Sequence, residues 1–97
     1  MPQVIFAPRA IRDLQRLRDF PRPKSADAAR RAGEAIRQGV QILGAHPHLG
    51  RMVDDLPEEF REWLIDFGDS GYVVRYRVDE ADVTILAIRH QKELGHS

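Results

Sequence analysis

The last third of the chain constrains its fold most. Phe60-Arg61-Glu62-Trp63-Leu64-Ile65-Asp66-Phe67 leads into a Gly-Asp-Ser-Gly turn and then Tyr72-Val73-Val74-Arg75-Tyr76-Arg77-Val78. After Asp79-Glu80-Ala81-Asp82 comes Val83-Thr84-Ile85-Leu86-Ala87-Ile88-Arg89-His90. Aromatic and β-branched residues fill the runs, and glycine and acids fill the breaks, so three strands with two tight connections are predicted. Alternation assigns their faces. Trp63, Ile65 and Phe67 point at the helices, with Glu62, Leu64 and Asp66 opposite. Tyr72, Val74, Tyr76 and Val78 share one face of the second strand, and Val73, Arg75 and Arg77 share the other. In the third strand Val83, Ile85, Ala87 and Arg89 alternate with Thr84, Leu86, Ile88 and His90. Asp66, Arg75 and Arg77 fall on the open face, where they are expected to neutralise one another across strands.

Upstream, Gln3 to Phe6 is a short strand and Pro8 marks a helix start, since its missing N–H costs nothing in the first turn. Ala10, Ile11, Leu14 and Leu17 form one helix face, with Arg9, Arg12, Asp13 and Arg16 elsewhere on the circumference. Phe20-Pro21-Arg22-Pro23 stops this helix. Ser25 is the predicted N-cap of a second, whose inner face is Ala29, Ala32, Ile36, Val40 and Leu43. Gly33 and Gly39 weaken it unless they let another element come close. Gly44 and Pro47 end it. The short proline-rich link makes the two helices an antiparallel hairpin. His46-Pro47-His48-Leu49-Gly50-Arg51 reads as a surface loop, and its histidines lack a third ligand nearby, so no metal site is expected.

At 97 residues the chain is one domain, 1–97, with room for a single core. It has no cysteine, which removes disulfides and thiolate metal sites. Its N-terminus lacks the charged start and apolar run of a signal peptide, and no membrane span is expected. The net charge is zero but unevenly divided. Residues 1–51 hold ten Lys/Arg against four Asp/Glu, or +6, and residues 52–97 hold five against eleven, or −6. The basic half is either a set of solvated helix faces or a surface for an acidic partner.

The order of strand, helix, helix, three-stranded meander and charged tail resembles the RelE/ParE superfamily of type II toxin–antitoxin toxins. The resemblance is carried by Pro8-Arg9-Ala10-Ile11-Arg12-Asp13-Leu14, His46-Pro47-His48-Leu49-Gly50-Arg51, Phe60-Arg61-Glu62-Trp63, the segment from Phe67 to Arg77, and Ile88-Arg89-His90-Gln91-Lys92-Glu93-Leu94-Gly95. It implies an α+β fold: an N-terminal strand, an antiparallel helix hairpin and a three-stranded antiparallel meander completing one sheet. It also implies a cytoplasmic toxin that arrests growth in a plasmid-stabilisation or addiction system, with no cofactor, neutralised by a cognate antitoxin.

The superfamily divides by mechanism. RelE-like members cut mRNA on the translating ribosome, whereas ParE-like members inhibit DNA gyrase. A metal-free RNA cut needs a group to activate the 2′-OH, cations for the phosphorane and an acid for the leaving oxygen. RelE-like toxins supply basic residues before the Ser-Gly-Tyr turn, an arginine just after it, and an Arg and Tyr near the C-terminus. This chain has Leu64 and Asp66 before the turn, Val73 after it and no tyrosine in the tail. Asp66 beside a phosphate is repulsive. For a nuclease the remaining candidates are Arg61, Arg75, Arg77, Arg89, His90 and His96, with the histidines as acid or base. The run Ile85-Leu86-Ala87-Ile88-Arg89-His90 is closer to ParE-like chains. The resemblance therefore favours a ParE-like gyrase inhibitor, with Arg75, Arg77, Arg89, His90 and Lys92 meeting the target. Arg9, Arg12, Arg16, Arg30, Arg31 and Arg37 are expected to meet the antitoxin's acidic tail. A RelE-like ribosome-dependent endonuclease is the alternative, and a degenerate toxin that retains only antitoxin binding is the third.

Overall fold

The computed structural model describes residues 3–17, 26–68, 70–80 and 82–94. The chain runs β1 (Gln3–Phe6), α1 (Pro8–Leu17), α2 (Ala26–Ala45), β2 (Arg51–Met52), β3 (Phe60–Phe67), β4 (Ser70–Asp79), β5 (Asp82–His90) and α3 (Gln91–Leu94). The five strands form one sheet in the order β1-β5-β4-β3-β2. The β3–β4–β5 meander is antiparallel, as its two-residue connections require. β1 pairs with β5 in parallel, which makes the sheet mixed. The segment 46–51 is not wholly loop, because Arg51 and Met52 add a short fifth strand against Glu62 and Arg61. The predicted cap Ser25 and the stop at Phe20-Pro23 lie outside the described residues.

Both helices lie on one face of the sheet. Ala10 and Leu17 of α1 and Ile36, Val40 and Leu43 of α2 join Ile65, Tyr72, Val74, Tyr76, Val83, Ile85 and Ile88 in one buried cluster. Each large member contributes about 1.5–3 kcal/mol by leaving water. Trp63 and Phe67 are half-buried against its edge. Gly39 lets α2 come close to the sheet, since a Cβ there would stand 2.6 Å from the Ile65 side chain. Gly33 faces open space, so it is only a helix-weakening residue.

Two faces differ from the sequence expectation. On α1, Ile11 is 47% exposed, and Asp13, placed on the outer circumference by periodicity, is 4% exposed. On β5 the alternation breaks. Arg75 pairs with Ala87 and Tyr76 with Ile85, so Leu86 is an inserted residue in a β-bulge. Beyond it the strand reverses phase. Ile88 and His90 turn into the core with Val83 and Ile85, and Arg89 turns outward.

Candidate functional site: the open face of the sheet

The face away from the helices carries Glu62 and Leu64 on β3, Val73 and Arg75 on β4, and Leu86, Ala87 and Arg89 on β5. Both Leu86 and Ala87 line this side because the bulge places consecutive residues there. A shallow cleft is lined by Arg9, Glu62, Val73, Arg75, Leu86, Ala87 and Arg89. Three guanidiniums thus meet one carboxylate over an apolar floor. Arg9 was expected among the outer helical cations, yet it reaches the sheet from the first turn of α1.

Glu62 organises the cations of β2 and β4. Its Oε2 accepts from Arg75 Nη2 at 2.8 Å and from Nε at 3.3 Å, while Oε1 accepts from Arg51 at 3.0 Å. Glu62 therefore takes the role that sequence reasoning gave to Asp66. The register explains the change. Phe67 lies opposite Ser70, so Arg75 lies opposite Glu62 and Asp66 lies opposite Gly71. Arg77 lies 3.8 Å from Asp79, and its buried Nε has no partner among the described residues. Arg89 and Lys92 are exposed.

Arg61 belongs to the other face and holds the 46–50 loop. Its Nη1 donates to Gly50 O at 2.8 Å and to His48 O at 3.3 Å. The buried Tyr76 hydroxyl fixes the same loop, donating to Pro47 O at 2.7 Å and accepting from Gly50 N at 2.9 Å. Gly50 is required there, because a Cβ would lie 2.6 Å from both Glu62 O and the hydroxyl. Burial raises the Tyr76 pKa, opposed in part by the Gly50 hydrogen bond and the Arg61 charge. Burial alone raises that of Tyr72.

His90 does not share a surface with the arginines. It is 3% exposed, with its ring edge-on to Tyr72 at 5.2 Å. Nδ1 accepts from the Lys92 amide at 3.0 Å, which leaves the proton of a neutral ring on Nε2, 3.2 Å from Ser70 Oγ. A hydroxyl and a backbone amide are thus among its partners. His96 lies outside the described residues. Among the described residues no group of three or more His, Asp or Glu is placed to hold a metal ion. No described helix is long and apolar enough to cross a membrane.

The helical arginines are largely committed within the chain. Arg16 donates to Asp13 at 2.6 Å and to Ile88 O at 3.3 Å, which ties α1 to β5. On α2, Arg30 and Arg31 pair with Asp27, and Arg37 pairs with Glu34 at 3.2 Å. Arg12 is exposed on α1. Sequence reasoning missed Asp13 and Glu62 as organising residues. A fully counted β3–β4 register signals Glu62, but a helix wheel gives no sign of Asp13.

A strand, a helical layer on one face and a meander with an open cationic face define a RelE/ParE-type fold. The family described as "ParE toxin of type II toxin-antitoxin system, parDE" matches residues 4–95, and the chain belongs to it. Similar proteins include three from Caulobacter vibrioides. Toxin RelE3 is 39% identical over 93 residues, covering 96% of this chain and 98% of its own length. Toxin RelE1 is 34% identical over 90 residues, covering 93% and 94% respectively. Toxin RelE2 is 32% identical over 94 residues, covering 97% and 100%. Among solved structures, a chain of the chromosomal ParDE TA system from P. aeruginosa superposes with a TM-score of 0.71 at 19% identity. That match covers 93% of this chain and 96% of the other, and at this identity it supports the fold alone.

Proposed function

We propose that this type II toxin acts as a ParE-like inhibitor of DNA gyrase, engaging its target through the open face rather than cutting RNA. The placement of His90 carries this reading. Among the described residues the open-face cleft holds guanidiniums and a carboxylate but no imidazole, because His90 is turned into the core. Cations stabilise a phosphorane but do not by themselves supply the proton transfers of RNA cleavage. Arg75, Arg77, Arg89 and Lys92 form the target surface, and His90 supports it from behind. A cognate antitoxin holds the toxin in the cytoplasm. Its acidic tail meets Arg12, Arg30, Arg31 and Arg37, and folds as it binds.

The RelE names of the three Caulobacter relatives favour a second reading, a ribosome-dependent mRNA endonuclease. In that case the same open-face arginines hold the scissile phosphate. Purified toxin added to gyrase separates the two. Under the first reading supercoiling falls and gyrase-linked DNA breaks accumulate, while ribosomes translating a defined message leave it intact. Cleavage in the ribosomal A site with unaffected gyrase overturns it. No response in either assay, together with harmless expression, leaves a degenerate toxin that binds only its antitoxin.

A further inference from the structure

Uncompensated positive charge and apolar surface coincide in the open-face cleft. Arg9 enters from α1, Arg75 from β4 and Arg89 from β5, above Val73, Leu86 and Ala87. The chain itself places a carboxylate at one side of it. Glu62 Oε2 sits on the Nε and Nη2 of Arg75, an arrangement by which a guanidinium recognises carboxylates. The other oxygen of Glu62 is drawn to Arg51, so one negative charge is divided between two cations. Among the described residues Arg9 pairs only with Asp13, at 3.9 Å, and no carboxylate pairs with Arg89.

Resting on the reading that this face meets a protein target, we propose that the cleft recognises the carboxylate of one acidic side chain in an extended partner segment, with an apolar neighbour against Leu64 and Val73. Arg9 and Arg89 grip the incoming carboxylate, and Glu62 competes with it for Arg75. The surroundings fit a protein better than RNA. Leu64 is 53% exposed on the same face, Glu62 stands beside the arginines, and Asp66 lies further along β3. A single carboxylate between leucines avoids those acids. A polyanion with a charge at every nucleotide meets them.

The test uses the full chain labelled with nitrogen-15 and a capped peptide carrying one glutamate between two leucines. The arginine Nε–H resonances of Arg9, Arg75 and Arg89 are expected to shift on titration, and not with the glutamine version of the peptide. Arg89→Ala and Arg9→Ala each weaken binding by roughly tenfold, the loss of one charge-assisted contact. Glu62→Gln tightens it by removing the internal competitor, and Gln38→Ala on α2 leaves it unchanged. Equal binding of the glutamine peptide, or insensitivity to Arg89, overturns the proposal. So does a short oligouridine that displaces the peptide from the same arginines at lower concentration. The comparison of the two peptides needs no variant, so misfolding cannot obscure it. Peptide binding with no gyrase inhibition sinks the target reading alone. Gyrase inhibition with no peptide binding sinks the cleft proposal alone.

Discussion

Asp13 Oδ2 accepts the backbone N–H of Ile88 at 2.9 Å, joining the middle of α1 to a strand 75 residues away in sequence. β1 pairs with β5 only as far as Phe6 opposite Ile85, after which the chain turns into α1. The next stretch of the β5 edge is left without a strand. Asp13 takes the buried Ile88 N–H that a longer β1 would have paired, and Arg16 donates to the Ile88 carbonyl at 3.3 Å. One helical turn thus completes the edge with side chains, which protects it from pairing with another chain.

Asp13→Ala is expected to cost about 2–3 kcal/mol, because it strands a buried amide and removes a charged acceptor. Asp13→Asn keeps an oxygen for Ile88 and is expected to cost less. Urea unfolding of the two variants measures the difference. Equal stability of Asp13→Ala and wild type would show that the edge closes some other way.

Tyr76→Phe leaves the Gly50 amide without its acceptor and is expected to cost about 1–3 kcal/mol. The hydroxyl also makes a prediction in alkali. Burial raises the folded pKa of Tyr76 above its ordinary value of 10.0, so the folded chain holds this proton more tightly than the unfolded chain does. Its contribution is intact below pH 10 and declines as pH rises from there through the folded pKa. Tyr72 contributes with the same sign. The wild type should lose stability above about pH 10, and Tyr76→Phe should lose it less steeply. Parallel pH profiles would remove Tyr76 from that response.

Arg89 and His90, adjacent in sequence, should respond oppositely to alanine. Arg89→Ala removes an exposed side chain and should change stability by less than about 0.5 kcal/mol, while reducing toxicity. His90→Ala removes a buried ring and leaves Ser70 and the Lys92 amide without it, at about 2–4 kcal/mol. Thermal melts beside growth assays test the pair. A stable, fully folded His90→Ala protein with reduced toxicity would return the imidazole to the target surface.

Glu80 turns the chain between β4 and β5 with φ of 47°, a left-handed conformation that costs a side chain roughly 1 kcal/mol. Glu80→Gly should therefore stabilise the protein by up to about 1 kcal/mol, seen as a higher urea midpoint. A lower midpoint would mean that the glutamate side chain makes a compensating contact.

The elements were legible from local chemistry. Pro8, the apolar spacing of α2 and the alternation in β3 and β4 each dictate a backbone geometry on their own. What escaped depends on counting across elements. Glu62 replaces Asp66 as the partner of Arg75 only once the turn register is known. The two-residue strand β2 is too short to carry a period, and nothing in Arg51-Met52 signals pairing. Asp13 resembles any solvated acid of an amphipathic helix until the length of β1 exposes an amide beside it. The site was harder still, since its cations come from α1, β4 and β5 and meet only in three dimensions.

Leu86 gives the bulge a consequence for how this surface can change. The open face displays Arg89 and hides His90 because one extra residue stands upstream, not because either side chain prefers its place. Pairing β5 in strict alternation with Leu86 retained and the bulge lost would exchange the two, putting a guanidinium against Tyr72 and an imidazole among the outer arginines. Deleting Leu86, by contrast, removes residue and bulge together and leaves Arg89 outward. The choice between a cationic docking face and one equipped for proton transfer thus rests on the parity of a strand. It can be reversed without altering either residue.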